Sequence, residues 1–244
     1  MAPDARQPTS SDEELLEAGT SAIFSQLDDE ARVERVAEEL HFGFHALAHV
    51  GKAVSIFGSA RTAEGHPEYE AARDIARRLG HEGFAVITGG GPGIMEAANR
   101  GAVEVGAGSI GLGIELPMEQ GLNAWVRTPL VFHYFFTRKV MFVRYASAFV
   151  VYPGGFGTLD ELFESLTLIQ TRKIRNFPVV LVGKEFWGGM LDWLKGAVLA
   201  EKTISQEDFA LLYLTDSPAE AVEIVVRSQD ALRKMDKTIS NDIA

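Results

Sequence analysis

The stretch AFVVYPGGFGTLDELFE, residues 148–164, decides the fold. Four apolar residues, Ala148-Phe149-Val150-Val151, run into Tyr152-Pro153, then Gly154, Gly155 and Gly157, then Thr158 and the acids Asp160, Glu161 and Glu164. A short apolar run bounded by turn residues reads as a buried strand. Thr158-Leu159-Asp160-Glu161 has the T-x-x-E spacing of a capping box, which opens a helix at about Leu159. The unit is strand, tight turn, helix. The glycines admit a second reading. They let a backbone approach a ligand closely, and a helix N-terminus turns its free N–H groups toward an anion.

The same alternation continues on both sides. Apolar runs at 53–57, 84–87, 110–114, 130–135, 178–182 and 211–214 predict further strands. Helical spacing predicts helices over 67–79, 94–105, 137–145, 159–171, 187–199 and from 218 to about 234. The last opens on Ser217-Pro218-Ala219-Glu220, a capping box with proline at the first helical position. Residues 115–129 read as a loop. Strands alternating with helices predict an α/β fold, a Rossmann-like, doubly wound parallel sheet. Upstream, Val33, Val36, Ala37, Leu40, Phe44 and Leu47 recur at helical spacing, so residues 28–50 are expected to form an N-terminal helical extension. Residues 1 to about 20 are polar, contain Pro3 and Pro8, and are expected to be disordered. The domain plan is a tail plus extension over 1–50, the Rossmann-like domain over 51–235, and a C-terminal tail over 236–244.

Composition narrows the function. A chain of 244 residues that is 46% apolar and 23% charged buries a substantial core, as a soluble globular protein does. No apolar stretch approaches the roughly 18–20 residues that span a bilayer. The N-terminus has no apolar signal region, so export by that route is not expected. With no cysteine, disulfides, thiol catalysis and thiolate metal sites are excluded, which fits a cytoplasmic protein. A net charge of −11 makes nucleic acid and anionic membranes poor partners. Yet from Gln120 to Leu159 there is no Asp or Glu, while Arg127, Arg138, Lys139 and Arg144 remain. A buried core explains missing acids but not retained cations, so the segment suits a small anion.

In such sheets, ligands lie beyond the carboxyl ends of the strands. Three of these ends carry small residues: Gly58-Ser59-Ala60-Arg61, the turn from Thr88 to Gly93, and the turn from Pro153 to Thr158. Ser59, Gly90, Gly91, Gly93 and Gly154 are therefore candidate substrate-binding positions, with Met95 a candidate wall beside the base. The GxGxxG match at 106–111 follows a helix and leads into a strand, the reverse of the dinucleotide fingerprint. The Thr88 turn has Ile94 where the third fingerprint glycine would stand, which disfavours NAD. Gly51-Lys52 and Gly183-Lys184 lack the upstream glycine of a Walker A loop, so ATPase or kinase chemistry is not expected. His41, His45 and His49 have metal-ligand spacing, but no carboxylate accompanies them in the HExxH pattern. A packed or solvated helix face is the better reading, and no metal or cofactor is expected.

Residues 153–161 resemble the PGGxGTxxE signature of the Lonely Guy family, cytokinin-activating phosphoribohydrolases often labelled lysine decarboxylases. Residues 89–95 are similar to the family's other glycine-rich turn, and Arg138-Lys139-Val140-Met141 to its RKxxM helix. The resemblance covers roughly residues 50–235. The N-terminal 45 or so residues lie outside it and suggest a longer, bacterial-type member. It implies hydrolysis of a nucleoside 5′-monophosphate, AMP or a cytokinin riboside 5′-monophosphate, to free base and ribose 5-phosphate. It implies Arg138 and Glu161 as the catalytic pair. Gly155, Gly157 and Thr158 would hold the phosphate, and Glu119, Lys139 and Thr167 would complete the pocket.

The residue chemistry agrees with that activity. N-glycosidic cleavage passes through an oxocarbenium-like cation, which a carboxylate such as Glu161 stabilises while it activates water. Arg138 has three open roles: anchoring the phosphate, anchoring the ribose, or polarising the departing base. The structural alternative makes Glu161 a helix cap, held ionised by the helix dipole, and Arg138 a cation on an amphipathic helix. The functional alternative is a non-catalytic nucleotide-binding sensor or carrier, which keeps the glycine turns and Arg138 but has no need of Glu161. Nothing marks Lys139 as a pyridoxal Schiff-base partner. Phe132, Tyr134, Phe135, Phe136, Phe142 and Tyr145 offer more apolar surface than one helix and one short strand bury alone. That predicts a homodimer or a higher homo-oligomer, up to a hexamer, with the site near the interface.

Overall fold

The computed structural model describes residues 10–16, 28–115, 121–174 and 178–243. The strands are β1 (Ala53–Phe57), β2 (Ala85–Thr88), β3 (Ser109–Ile114), β4 (Thr128–Phe132), β5 (Ala146–Val151), β6 (Val179–Val182) and β7 (Leu212–Thr215). They form one sheet in the order β4-β3-β2-β1-β5-β6-β7, and every neighbouring pair is parallel. Successive side chains of a strand point to opposite faces. In β1, Val54 and Ile56 accordingly enter one apolar cluster, and Ala53 and Phe57 the other. All five β1 residues are buried, as a central strand covered on both faces must be.

Helices α3 (Pro67–His81), α4 (Ile94–Glu104) and α9 (Pro218–Ile243) cover one face, through Tyr69, Ile75, Ile94, Ala97, Ala221 and Val225. On the other lie α2 (Asp29–Ala46), α5 (Phe135–Tyr145), α6 (Phe156–Gln170) and α7 (Lys184–Trp193), through Met141, Phe142, Leu162 and Trp187 with Leu47 at the end of α2. Two short helices, α1 (Ser11–Leu16) and α8 (Gln206–Phe209), complete the α-helices among the described residues. Among the described residues, no helix is long and apolar enough to cross a membrane. The chain builds outward from β1 to β4, then returns to the centre and builds β5 to β7. The reversal opens a crevice between the carboxyl ends of β1 and β5, where such sheets hold ligands.

Several boundaries differ from the sequence reading. Helix α6 starts at Phe156, three residues before the expected Leu159, with Gly155 as N-cap. Thr158 is then the third helical residue, so the expected capping box does not form and Glu161 falls in the second turn. Helix α5 starts at Phe135, two residues early. The second box forms by half: Glu220 N–H donates to Ser217 Oγ at 3.3 Å, but the Glu220 carboxylate takes the Thr215 hydroxyl. Part of the stretch expected to be disordered is helix α1. Helix α9 runs on to Ile243, past the expected end near 234, and a π-helical segment, Leu194–Leu199, follows α7. On α2, Val33 is exposed, whereas Glu39 and Gly43 are buried.

Candidate active site

Two backbone hydrogen bonds tie the three strand-end turns together. Ser59 N–H donates to Pro153 O at 2.9 Å, and Ile94 N–H donates to Ser59 O at 3.1 Å. Around them lies a cavity of about 640 Å³, within the size range of small-molecule sites. Its walls include Ser59, Met95, Arg138, Gly155, Gly157, Thr158 and Glu161, all anticipated from the sequence, together with Gly89, Phe135, Phe142 and Phe156. No side chain caps α6, whose first residues line this space.

Gly90, Gly91, Gly93 and Gly154, expected at the substrate, do not line the cavity and shape the turns instead. Gly93 has φ +70°, and a Cβ there would lie 2.4 Å from Ser59 O, so only glycine lets the second turn pass this close. At Gly154 a Cβ would lie 2.1 Å from Thr158 Oγ1. At Gly89 it would lie 2.5 Å from Arg138 Nη2. That bare position is what admits the guanidinium. Gly90 and Gly91 offer their carbonyls to Asn123 Nδ2, at 3.0 Å each.

Asn123 belongs to a polar network that sequence reasoning missed. Its Nδ2 also donates to Asn99 Oδ1 at 3.0 Å, which accepts from Thr88 Oγ1 at 2.6 Å. Asn99 Nδ2 in turn donates to Ser109 Oγ at 2.9 Å. Asn99 and Ser109 are fully buried, and satisfied buried polar groups of this kind fix a unique arrangement. The sequence leaves little trace of it: Asn123 stands between Leu122 and Ala124, but Asn99 is followed directly by Arg100.

Glu161 is 7% exposed, and its Oε2 has no hydrogen-bond partner. Burial pushes its carboxyl up from 4.5 to about 7, against the pull of the Lys139 ammonium and the Arg138 guanidinium. The expectation that helix placement holds it ionised is therefore overturned: in the second turn, desolvation outweighs the dipole. A buried, unpaired acceptor is rare in proteins, and one facing a cavity is open to a bound water or ligand. Beside it, Arg138 Nε donates to Leu112 O at 2.7 Å, and its guanidinium lies 5.1 Å from the Phe142 ring centroid.

Lys139 is not a wall of the cavity. Its Nζ lies 3.0 Å from Asp160 and 2.9 Å from Glu164. Burial lowers its pKa, but the bonds to Glu164 and Asp160 outweigh burial and raise it. A lysine held as ammonium is the opposite of what a Schiff-base nucleophile requires. Of the other cations in the acid-free segment, Arg127 bonds Ala124 O and Arg144 stacks on Phe44, so of the four only Arg138 lines the cavity, and Lys139 acts on it through its charge on Glu161. Thr167 donates to Phe163 O at 2.7 Å and lines a separate open groove with Phe156, Phe163 and Leu168. Glu119 lies outside the described residues.

A family model described as "possible lysine decarboxylase" matches residues 95–225. The chain is 30% identical over 174 residues to a "probable cytokinin riboside 5′-monophosphate phosphoribohydrolase" of Oryza sativa subsp. japonica, a match covering 69% of this chain and 74% of that protein. It is 25% identical to the cytokinin riboside 5′-monophosphate phosphoribohydrolase of Rhodococcoides fascians, over 61% of this chain and 76% of the relative. It is also 31% identical to the pyrimidine/purine nucleotide 5′-monophosphate nucleosidase of Escherichia coli K12, over 48% of this chain and 28% of the relative's length. Among solved structures, the molybdenum cofactor carrier protein of Chlamydomonas reinhardtii superposes with a TM-score of 0.55 at 22% identity, covering 73% of this chain and 99% of the other. The molybdenum cofactor binding protein of Rippkaea orientalis gives 0.52 at 19%, covering 72% and 95%. These two likenesses are of fold.

Proposed function

The chain belongs to the Lonely Guy family, the one whose model carries the decarboxylase description, and from that premise we propose that it hydrolyses the N-glycosidic bond of a nucleoside 5′-monophosphate. The products are the free base and ribose 5-phosphate, and the substrate is AMP or a cytokinin riboside 5′-monophosphate. The observation that carries this reading is the buried Glu161 carboxyl, unpaired at Oε2, in one cavity with Arg138 and the glycine-rich start of α6.

Chemically, the bond from ribose C1′ to the base nitrogen breaks and a water oxygen bonds to C1′. Glu161 takes one proton from that water, a task suited to a group that titrates near neutral pH. That proton then passes to the base nitrogen, which restores the carboxylate, and the other water proton stays on the new C1′ hydroxyl of ribose 5-phosphate. As a carboxylate, Glu161 also offsets the positive charge on the ribosyl carbon. Arg138 does not lose its proton in a protein, so its part is electrostatic: it holds the phosphate or the charge that builds on the departing base. Gly155, Gly157 and Thr158 bind phosphate with the free N–H groups of α6.

We further assign a homodimer joined at the mouth of the cavity, in a cytoplasmic protein. Phe135, Phe136, Val140, Phe156 and Phe163 are exposed; Phe135 and Phe156 line the cavity, and Phe156 and Phe163 share the neighbouring open groove with Thr167. The direct test incubates the protein with AMP and, separately, adenosine, and follows adenine by chromatography, with Glu161→Gln in parallel. Adenine from AMP but not adenosine, lost in the variant by roughly 10²- to 10⁴-fold, supports the reading. AMP binding without turnover of any nucleotide replaces it with a sensor or carrier.

A further inference from the structure

Helix α5, which carries Arg138, has no local cap: its N-cap Tyr134 makes no side-chain bond, and no acid stands in its first turn. The carboxylates it lacks come from the N-terminal extension. Glu39 of α2 accepts from His133 N–H at 2.6 Å and from Thr137 Oγ1 at 2.6 Å, and lies 2.7 Å from His133 Nδ1. Asp12 of α1 accepts from Phe135 N–H at 3.1 Å. Glu115 meets the far nitrogen of His133 at 3.1 Å. Glu39 is 7% exposed and is not part of the cavity wall.

Helix α2 grips α5 along its whole length. A Cβ on Gly43 would lie 2.6 Å from Met141 Sδ. Phe44 O accepts from Tyr145 Oη at 3.3 Å, and the Phe44 ring lies 4.7 Å from the Arg144 guanidinium carbon. Glu39 pairs with Thr137, Gly43 with Met141, and Phe44 with Tyr145, so the two helices run in the same direction in a fixed register. Arg138 directly follows Thr137.

We propose that Glu39 is a positioning residue for Arg138: through His133 and Thr137 it sets the axial register of α5 and thereby the place of the guanidinium in the cavity. This rests on the reading of Arg138 as part of the site. It makes the extension, which lies outside the family's motifs, a structural component of the active centre.

Two readouts test it on the full chain, with Glu39→Gln and Thr137→Val, each also combined with Arg138→Ala. The first needs no substrate. The Arg138 Nε–H, bonded to Leu112 O, is followed by nitrogen-15 NMR and assigned by its loss in Arg138→Ala. Its hydrogen exchange should accelerate at least about tenfold in both single variants, as expected when a local hydrogen bond opens more often. The second is AMP turnover. Glu39→Gln should lose roughly 10- to 100-fold, the scale of a misplacement near 1 Å, with the same split between kcat and KM as Arg138→Ala. In the Arg138→Ala background it should lose less than about twofold further, because residues acting as a unit are not additive.

Equal losses in both backgrounds, or unchanged exchange at Arg138 in a folded variant, would overturn the proposal. Should Glu39→Gln not fold, Thr137→Val decides alone, since it removes one hydroxyl, which meets Glu39 Oε2 and Tyr134 O, and keeps the volume. If the wild type turns over no nucleotide, the hydrolase reading falls, and the exchange result still judges this one.

Discussion

Replacing Glu161 with Gln should stabilise the folded protein, and only at high pH. The carboxyl titrates at 4.5 when free and at about 7 in the fold. Folding therefore favours its protonated form. Below pH 4.5 both states are protonated and the group costs nothing. As pH rises from there to 7, the unfolded chain ionises first and stability falls. Above 7 the loss is constant. At about 1.36 kcal/mol for each pH unit between the two values, the loss comes to roughly 3 kcal/mol. Gln keeps the shape and lacks the charge, so at pH 8 the variant should recover most of that. In a chain of this size 1 kcal/mol moves the melting midpoint by about 2–4 °C, which predicts a gain of roughly 6–12 °C at pH 8 and a small fraction of it at pH 5. Scanning calorimetry without nucleotide reads both. A gain of equal size at the two pH values, or a lower midpoint at pH 8, would refute the view that desolvation governs Glu161.

The same titration should appear in the rate: kcat/KM for AMP should climb through an apparent pKa of about 7, read from initial rates between pH 5 and 9. Lys139→Met removes the largest pull that lowers Glu161, so the acid limb should move to higher pH; an unmoved limb would mean the ammonium does not reach the carboxyl. Gly154→Ala forces a Cβ against Thr158 Oγ1, and overpacking on the order of 1–3 kcal/mol should weaken AMP binding about tenfold or more by calorimetry, whereas Gly189→Ala, which has open space on α7 away from the cavity, should leave it unchanged. Phe163→Asp should give a monomer in light scattering if the exposed apolar face joins two copies, and a mass unchanged from wild type would remove that face as the interface.

The order of strands and helices was legible because buried parallel strands are plain apolar runs and their covering helices repeat at 3.6 residues. The start of α6 was not. Thr158 and Glu161 carry the spacing of a capping box, yet an extended Gly155 lets the helix begin earlier, and local propensity lost to the needs of the turn. That shift also changed the electrostatics: a glutamate expected near the positive end of a helix instead sits desolvated in its second turn. The cavity residues Ser59, Met95, Arg138, Gly155, Gly157, Thr158 and Glu161 could be named from strand ends and motifs, since those report where a chain turns toward a ligand. Glu39, Asn99 and Asn123 could not. Their partners are as much as 98 residues away in sequence, as for Glu39 and Thr137, and no spacing rule reaches that far.

The strand order has a consequence for how the chain comes to exist. Strand β1 stands at the centre, but its partner on one side, β5, follows about 90 residues later. A chain emerging from the ribosome can join β1 to β4 while the second edge of β1 stays unpaired, and an open apolar edge is where chains stick to one another. Contacts so distant in sequence also form slowly. The cavity straddles that seam, with one wall from β1 and another from the turn after β5, so it is completed only when the seam closes. A nucleotide can then favour only the finished molecule, by mass action on the folded state, and the half-made chain depends on speed or on chaperones to keep its central edge covered.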